Sequence, residues 1–284
     1  MLFGPRVALV SVYIAGWGIL GPGLADTRVA RAILAGEKAY RDDGVRVPRA
    51  EGLSANEARR CPMSARYALD VGWQAVRAAG WDPKKAATVL SSASGDLEIA
   101  DKNCRALAQP PIALSPTVFH NSVHNAAGGY WGIATGSLAP TTSLSAYDDS
   151  FAAGLLEALT TVAPDQPCLL IAYDLPPPAA LAAARKITAP FAVALALTAD
   201  RPPGACARLF WRWGCCNPVA DACMAESALE GLRVGNPAAR SLPLLRALSA
   251  RQPEVFLWGD ADEGALHVAL TFEERGSTDR HHAP

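Results

Sequence analysis

The chain has 284 residues, of which 50% are hydrophobic and 19% are charged, so it can bury a substantial core in one large or two small domains. Its net charge is -1 and it contains no basic cluster, which argues against a nucleic-acid-binding protein. We therefore expect its partners to be proteins or small molecules.

Residues 1–24 are apolar, with Arg6 as the one charged residue among them. Pro5 and the glycine- and proline-rich run 16–23 interrupt any helix, and no small-residue cleavage pattern follows, so we do not expect a signal peptide. No other stretch reaches the length of a membrane span. Seven scattered cysteines without a secretory signal indicate buried thiols in a reducing compartment, so we expect a cytoplasmic protein.

The chain begins with the pattern of a strand followed by two helices. Residues 7–15 are rich in β-branched side chains, which predicts a buried strand that ends at the turn-forming run GWGILGPG. Asp26 or Thr27 can cap a first helix. Ser64 should cap a second helix, which stops at Gly80.

Beyond Gly80 the patterns of strands and helices alternate. Strands are predicted at 87–92, 141–146, 169–173, 191–197, 208–213, 255–257 and 266–272. Helices are predicted at 97–107, 121–135 and 149–162. The wholly apolar strands 169–173 and 191–197 should lie centrally in the sheet. The alternation predicts an α/β fold with a mostly parallel sheet, in which residues 1–272 form one domain and 273–284 a disordered polar tail.

The most informative stretch runs from Ser115 to Leu159 and reads SPTVFHNSVHNAAGGYWGIATGSLAPTTSLSAYDDSFAAGLLEAL. It contains a Ser-Pro pair, a small-residue helix, a Gly, an Ala-Pro pair, a strand and a second small-residue helix. The residues that carry this order are Ser115, Pro116, Asn125, Gly129, Gly136, Ala139 and Pro140. In this order and spacing the stretch resembles the core of β-ketoacyl synthases. The resemblance implies a thiolase-like layered fold, truncated to about one ketosynthase N-terminal half.

In ketosynthases the nucleophilic cysteine lies on a strand-to-helix elbow, where the helix N-terminus stabilises a thiolate and an oxyanion. The resemblance places Tyr147 at that position here, followed by Asp148 and Asp149. A phenol is a far weaker nucleophile at neutral pH than a thiolate, and two carboxylates would oppose negative charge on it. We therefore expect a degenerate elbow and no catalytic residue, with the two aspartates complementing the helix dipole.

The histidines are the next candidates for chemistry. They are His120, His124, His267, His281 and His282, and none lies in a glycine- and threonine-rich motif like that of the family's catalytic histidines. His120 and His124 have the i, i+4 spacing of metal ligands, but no HExxH motif or third ligand accompanies them. Cys215, Cys216 and Cys223 form no CxxC pair. We expect neither a metal nor a cofactor.

The resemblance narrows further at VYIAGWGILGPG, FHNSVHNAAGGYW, SAYDDSFAAGLLEA, AYDLP, APF and GNPAARSLPLL. These segments are similar to short chain-length-factor proteins of bacterial aryl-polyene-type clusters. That family implies a non-catalytic subunit that forms a heterodimer with a full-length ketosynthase and meets acyl carrier protein through the complex. By carry-over, the dimer interface and acyl tunnel would involve Phe119, His120, Asn121, His124, Asn125, Gly129, Tyr130, Trp131, Thr141, Thr142, Ser143, Leu144 and Ser145. Among these, the large side chains at 119, 120, 124, 130 and 131 are candidates for limiting acyl chain length.

Two alternatives stay open at this point. One is a residual acyltransferase, decarboxylase or thioesterase activity on carrier-protein substrates, in which Tyr147, Ser145 or His124 would have to act. The other is a homodimeric structural or carrier-protein-binding module. An isolated monomer would expose an edge strand at 141–146 and an apolar helix face, which favours a partner in either case.

Overall fold

The structure is a computed structural model that describes residues 10–202, 207–214, 222–260 and 264–273. The strands are β1 (Val10–Leu20), β2 (Ala87–Ser91), β3 (Thr141–Leu144), β4 (Cys168–Asp174), β5 (Phe191–Thr198), β6 (Ala207–Gly214), β7 (Glu254–Asp260) and β8 (Gly264–Phe272). The helices are α1 (Thr27–Leu34), α2 (Ala55–Arg60), α3 (Met63–Ala79), α4 (Leu97–Leu107), α5 (Pro116–His120), α6 (Ala126–Thr135), α7 (Ser150–Thr161), α8 (Ser227–Gly235) and α9 (Leu242–Ala250).

Within the described residues these strands form one eight-stranded sheet in the order β3-β2-β4-β5-β1-β6-β8-β7. The fully buried β4 and β5 lie in its middle, which confirms their predicted central position. The prediction of a mostly parallel sheet is wrong, because only β2 pairs in parallel, with β3 and β4. The pairs β4–β5, β5–β1, β1–β6, β6–β8 and β8–β7 are antiparallel. Helices connect β2 to β3 and β3 to β4, so these strands run in the same direction. The other neighbouring strands run in opposite directions.

Strand β1 continues past the predicted end at residue 15 and reaches Leu20, through Gly16 and Gly18. These glycines allow close approach of α3 and do not form a turn. A Cβ at position 16 would lie 2.5 Å from the Ala75 carbonyl oxygen, and one at position 18 would lie 2.2 Å from that of Val71. A glycine in a strand can therefore indicate that the backbone of another element lies close to it. The sequence does not show which element this is.

Two helical layers cover the sheet. Helices α3 and α6 pack on one face, over a core that includes Leu69, Trp131 and Ile171. Helices α1, α7, α8 and α9 contribute to the core of the other face, together with Phe151 and Phe256. The predicted stop of α3 at Gly80 is confirmed, since this residue has a left-handed conformation.

The predicted start of α3 is wrong, because Pro62 and not Ser64 occupies the N-cap position. The Ser64 hydroxyl instead donates a 2.6 Å hydrogen bond to Asp96, whose other carboxylate oxygen accepts from the Ile99 backbone N–H at the start of α4. Asp96 therefore joins the N-terminal ends of α3 and α4.

The single helix predicted at 121–135 is interrupted. Helix α5 ends at His120, a turn follows, and α6 begins at Ala126. The Asn121 amide donates 2.9 Å to the Arg60 carbonyl, and the Ser122 hydroxyl donates 2.7 Å to the Phe119 carbonyl. The local bond of Ser122 competes with the helical hydrogen bonds, and the bond of Asn121 ties the turn to a distant segment. The predicted helix stop at Gly136 is confirmed by its left-handed conformation.

No helix among the described residues is long and apolar enough to cross a membrane. Several predictions concern residues outside the described ranges. These are the first residues of the opening strand (7–9), Cys215 and Cys216, most of the predicted tail (274–284), and His281 and His282.

Candidate functional site

The candidate site is the strand-to-helix elbow that follows β3. A short 3-10 helix, Tyr147–Asp149, connects the strand to α7. Tyr147 has a φ of 51° and its side chain is 61% exposed. The Ser150 hydroxyl holds this turn, because it accepts 3.0 Å from the Ala146 N–H and donates 2.7 Å to the Tyr147 carbonyl. A non-glycine residue in this region is strained, and such strain is concentrated at functional sites.

Arg185 holds the elbow in place through contacts with Tyr147 and Asp148. Its side chain is nearly buried, and its guanidinium lies over the Tyr147 ring at 4.1 Å from the ring centroid. It donates 2.6 Å to Asp148 and 3.2 Å to the Ser94 hydroxyl. A guanidinium that stacks on an aromatic ring and pairs with a carboxylate holds both side chains in one orientation.

The two aspartates after Tyr147 are neutralised by arginines. Asp148 pairs with Arg185, and Asp149 accepts 2.7 Å from Arg240, which also lies 3.7 Å from Asp148. Asp149 occupies the N-cap position of α7 but makes no side-chain capping hydrogen bond. The aspartates therefore act mainly through ion pairs with residues that are distant in sequence.

A buried carboxylate at the end of β4 holds the loop 92–95, to which the elbow is hydrogen-bonded. Asp174, the last residue of β4, is 1% exposed, and it accepts 3.0 Å from the Ser92 hydroxyl and 2.8 Å from the Ala93 N–H. Burial raises the pKa of Asp174 to about 7, while these hydrogen bonds and the charge of Arg185 act in the opposite direction. The fully buried Asn236 donates 3.0 Å to the Asp174 carbonyl and so ties the end of β4 to the C-terminal helices.

Residues 92–95 form a loop between the elbow and the turn after α5. The His124 Nε2 lies 3.2 Å from the Ser92 carbonyl oxygen, a contact that requires a proton on this nitrogen. The Ser145 hydroxyl donates 3.0 Å to the Ala93 carbonyl. Ser145 and His124, two of the three groups named for a residual acyl-transfer activity, are therefore bonded to backbone carbonyls, which does not favour a nucleophile–base pair between them.

A groove of about 980 Å³ lies along α5 and α6. Its lining residues are Glu57, Arg60, Pro116, Thr117, Phe119, His120, Val123, Asn125, Ala126, Gly129, Tyr130 and Ile133. Three of them, Phe119, Val123 and Ile133, are apolar side chains that are more than half exposed. Strand β3 lies at the edge of the sheet and packs against α6, since a Cβ at Gly128 of α6 would meet Thr141 at 2.9 Å.

The residues expected at the interface fall into three groups. Phe119, His120, Asn125, Gly129, Thr141, Thr142 and Ser145 are exposed. His124, Ser143 and Leu144 are partly buried, and Asn121, Tyr130 and Trp131 are buried. The Tyr130 hydroxyl donates to Asn121, and the Trp131 ring packs 5.5 Å from that of Trp73. The bulk of Tyr130 and Trp131 therefore fills the chain's own core.

The i, i+4 relation of His120 and His124 does not place them on one helix face. His120 ends α5, whereas His124 lies in the turn that follows and faces the loop 92–95. Among the described residues, no cluster of three His, Cys, Asp or Glu side chains has the arrangement of a metal site.

Sequence reasoning missed Arg185, Asp174 and Arg240. Asp174 ends a wholly buried strand, and this position could have marked it as a site residue. Arg185 lies in an irregular segment between β4 and β5, and Arg240 lies in a short 3-10 helix before α9. Arg240 lies within GNPAARSLPLL, a segment that carries the resemblance but was given no role, whereas Arg185 has no local signal because it acts through a contact with the distant elbow.

A family model described as β-ketoacyl synthase, N-terminal domain, matches residues 36–260. The chain therefore belongs to the β-ketoacyl synthase family, and its fold is the thiolase-like α/β fold of these proteins. A search of curated proteins returned no match.

Among solved structures, the chain is similar to a chain of "Ketosynthase (ApeO) in Complex with its Chain Length Factor (ApeC) from Xenorhabdus doucetiae", with 26% identity and a TM-score of 0.66 over 93% of this chain and 100% of that one. The ishigamide ketosynthase/chain length factor matches with 14% identity and a TM-score of 0.64, over 92% of this chain and 99% of the other. A β-ketoacyl synthase from Burkholderia phymatum STM815 matches with 13% identity and a TM-score of 0.56, over 85% of this chain and 70% of the other. The last two likenesses show the fold alone.

Proposed function

We propose that this chain is a non-catalytic, chain-length-factor-type subunit that pairs with an active ketosynthase in polyketide or fatty-acid-type biosynthesis, of the aryl-polyene kind. The observation that carries the proposal is Tyr147 at the strained elbow where the family has its cysteine. The elbow is retained, but a phenol replaces the thiol that would carry the acyl group.

The contacts of the elbow also favour a non-catalytic role. Arg185 and Arg240 are paired with Asp148 and Asp149, so their charges are already matched within the chain. In an acyl-transfer site, donors at this position would face a developing oxyanion. Here the two arginines are engaged by Asp148 and Asp149, so their charge is not directed at an oxyanion.

The exposed surface supports a partner subunit. The groove along α5 and α6 presents Phe119, Val123 and Ile133, and β3 beside it has one unpaired edge within the described sheet. The backbone N–H groups of Thr88 in β2 and of Ser92, the residue after β2, donate to the carbonyls of residues 140 and 144. Because backbone groups alternate along a strand, Thr141 and Ser143 direct theirs to the free edge. An exposed apolar groove together with a free strand edge is suited to a large, permanent interface, which buries upward of about 2,000 Å².

The similarity to a structure in which a ketosynthase is bound to its chain length factor supports a ketosynthase as that partner. Acyl carrier protein would then be met through the complex, since it carries the substrates of such a synthase.

Co-expression with the cognate ketosynthase tests the proposal. We expect a one-to-one complex in size-exclusion chromatography and native mass spectrometry. Ile133→Glu in the groove should abolish it, because a charge would be buried in an apolar interface. Val47→Glu is the control, since Val47 is also an exposed apolar residue and lines neither the groove nor the pocket beside the elbow. We expect the control to retain the complex.

Two results would contradict the proposal. One is a well-behaved monomer that ignores the ketosynthase. The other is a stoichiometric acyl adduct on Tyr147, found by intact-mass analysis after incubation with activated acyl substrates, because it would make the chain an acyltransferase.

A further inference from the structure

We infer that the Tyr147 ring is a rigid aromatic anchor that inserts into a pocket of the partner ketosynthase, and that Arg185 is the positioning residue that presents it. The inference rests on the proposed function and goes beyond the groove and the edge strand described above. It assigns a role to the replaced nucleophile position itself.

The first observation is strain at an exposed side chain. Tyr147 has a φ of 51° although its side chain is 61% exposed, so packing of its ring in the core does not explain the conformation. Strained backbone persists only where the surroundings impose it, and it is concentrated at functional positions. Here the Ser150 hydroxyl, with bonds to Ala146 and Tyr147, imposes it.

The second observation is how Arg185 is used. The side chain is 8% exposed, and burying a guanidinium is costly unless it is well paired. Its partners are the Tyr147 ring, Asp148 and the Ser94 hydroxyl. A buried charge therefore orients a ring that points largely to solvent. A tyrosine held in this way loses little conformational entropy on binding, which is the property of aromatic residues at interface hot spots.

The third observation is that the elbow continues the proposed interface. Tyr147 follows the edge strand β3, which ends at Leu144. The loop 92–95 contacts both sides, because its Ala93 carbonyl accepts from Ser145 and its Ser92 carbonyl faces His124 of the turn after α5. The elbow thus directly follows the free strand edge, and the buried loop residues Ser92 and Ala93 hold both the elbow and the turn after α5 in place.

The chemistry of the partner pocket follows from the ring and its surroundings. Arg185 covers one face of the ring, so the partner contacts the other face and the hydroxyl. Asp148 and Asp149 are balanced by Arg185 and Arg240, so the surface near the ring carries little net charge. A matching pocket is apolar, with one hydrogen-bond acceptor for the phenol.

The test measures the dissociation constant of the purified ketosynthase complex for single variants. Tyr147→Ala should weaken binding about thirtyfold, which corresponds to about 2 kcal/mol, while the isolated chain keeps its thermal midpoint. Trp213→Ala is the matched control, because Trp213 is a comparably exposed aromatic residue on β6, away from the elbow. It should change the affinity by no more than about twofold.

Arg185→Leu tests the positioning role. It should weaken binding about fivefold alone and have no further effect when Tyr147→Ala is present, since the two residues act through one ring. An equal loss in both backgrounds would show that Arg185 does not act through Tyr147. If Arg185→Leu does not fold, the pair of Tyr147→Ala and Trp213→Ala still decides.

The failures are distinguishable. Wild-type affinity for Tyr147→Ala would overturn the anchor and leave the proposed function intact. A wild-type chain that does not bind the ketosynthase would overturn both the anchor role of Tyr147 and the proposed function. A homodimer that Tyr147→Ala disrupts would assign the ring to a second copy of this chain and overturn the inference.

Discussion

At the scale of single residues, Asp174 is a buried carboxylate near the elbow whose burial is only partly compensated by hydrogen bonds. One of its carboxylate oxygens accepts two hydrogen bonds, from Ser92 and Ala93. The other is buried without a hydrogen-bond partner, and burial is the main reason that the pKa of Asp174 rises to about 7. The ionised form is therefore unfavourable in the folded chain relative to the unfolded one.

This predicts a pH dependence. An aspartate titrates near 3.8 in its reference state and near about 7 here, so between these values the folded chain binds more protons than the unfolded chain. The contribution of Asp174 to stability should then be greatest below the lower value and be lost as the pH rises toward about 7. The size is on the order of 4 kcal/mol, since each pKa unit corresponds to about 1.4 kcal/mol.

Urea unfolding from about pH 5 to about pH 8 measures this slope. Asp174→Asn should remove it, because an amide does not titrate, whereas Asp43→Asn on an exposed loop should retain it. The difference between wild type and Asp174→Asn removes the contribution of other titrating groups to the slope. One such group is His267, whose pKa is lowered by burial. Parallel pH profiles of wild type and Asp174→Asn would show that Asp174 is ionised in the folded chain without cost.

At the scale of elements, two adjacent glycines of α6 have opposite surroundings. A Cβ at Gly128 would meet Thr141 at 2.9 Å and Leu90 at 3.2 Å, whereas a Cβ at Gly129 would meet nothing within 4 Å. Gly128 thus allows the helix to lie against β3, and Gly129 opens onto the groove.

We therefore predict opposite effects of the same substitution on the isolated chain. Gly129→Ala should stabilise it by about 0.5–1 kcal/mol, because alanine is the better helix former and has room. Gly128→Ala should lose this gain and destabilise the chain, because α6 must move away from β3. Denaturant unfolding of the two variants measures the difference, and equal stabilisation would show that the contact with β3 is not tight.

The same element explains why the predicted helix was interrupted. Residues 121–135 contain small, helix-compatible side chains, and the local pattern suits a continuous helix. The amide of Asn121 and the ring of His124 are bonded to Arg60 and Ser92, which lie on distant segments. These tertiary bonds interrupt the helix between α5 and α6. Phe119, which lies on the short helix α5, is exposed.

At the scale of the whole molecule, the C-terminal strands cover the helix that follows the elbow. Trp258 of β7 meets Phe151 of α7 edge to face at 5.6 Å and stacks on Phe256 at 5.5 Å. The C-terminal strands therefore complete the core around α7, whereas the groove along α5 and α6 and the free edge of β3 stay open for a partner.

The exposed groove leads to a prediction about products. Phe119 lies in the groove with 62% of its side chain exposed, so in the proposed heterodimer it can close the end of the acyl tunnel. Phe119→Ala should then admit products longer by a two-carbon step or more, since each added methylene gains about 0.8 kcal/mol of burial. Product analysis of the reconstituted complex, with the partner's cysteine intact, measures this.

Leu138→Ala is the control, because Leu138 is fully exposed and is not among the residues that line the groove. It should leave product length unchanged. Unchanged lengths for Phe119→Ala at normal complex yield would remove the tunnel role from this residue. A lower yield with unchanged lengths would restrict Phe119 to assembly.

The sequence by itself determined the family, the elbow and most of the elements near it, because these depend on local order. The run from Ser115 to Leu159, the glycine stops at 80 and 136 and the apolar strands β4 and β5 are all short-range signals. Strand direction, the meaning of Gly16 and Gly18, and the contact of Arg185 with Tyr147 were decided only by the tertiary structure. Each depends on which distant segment becomes a neighbour, and that choice follows from packing the whole core, which no local pattern encodes.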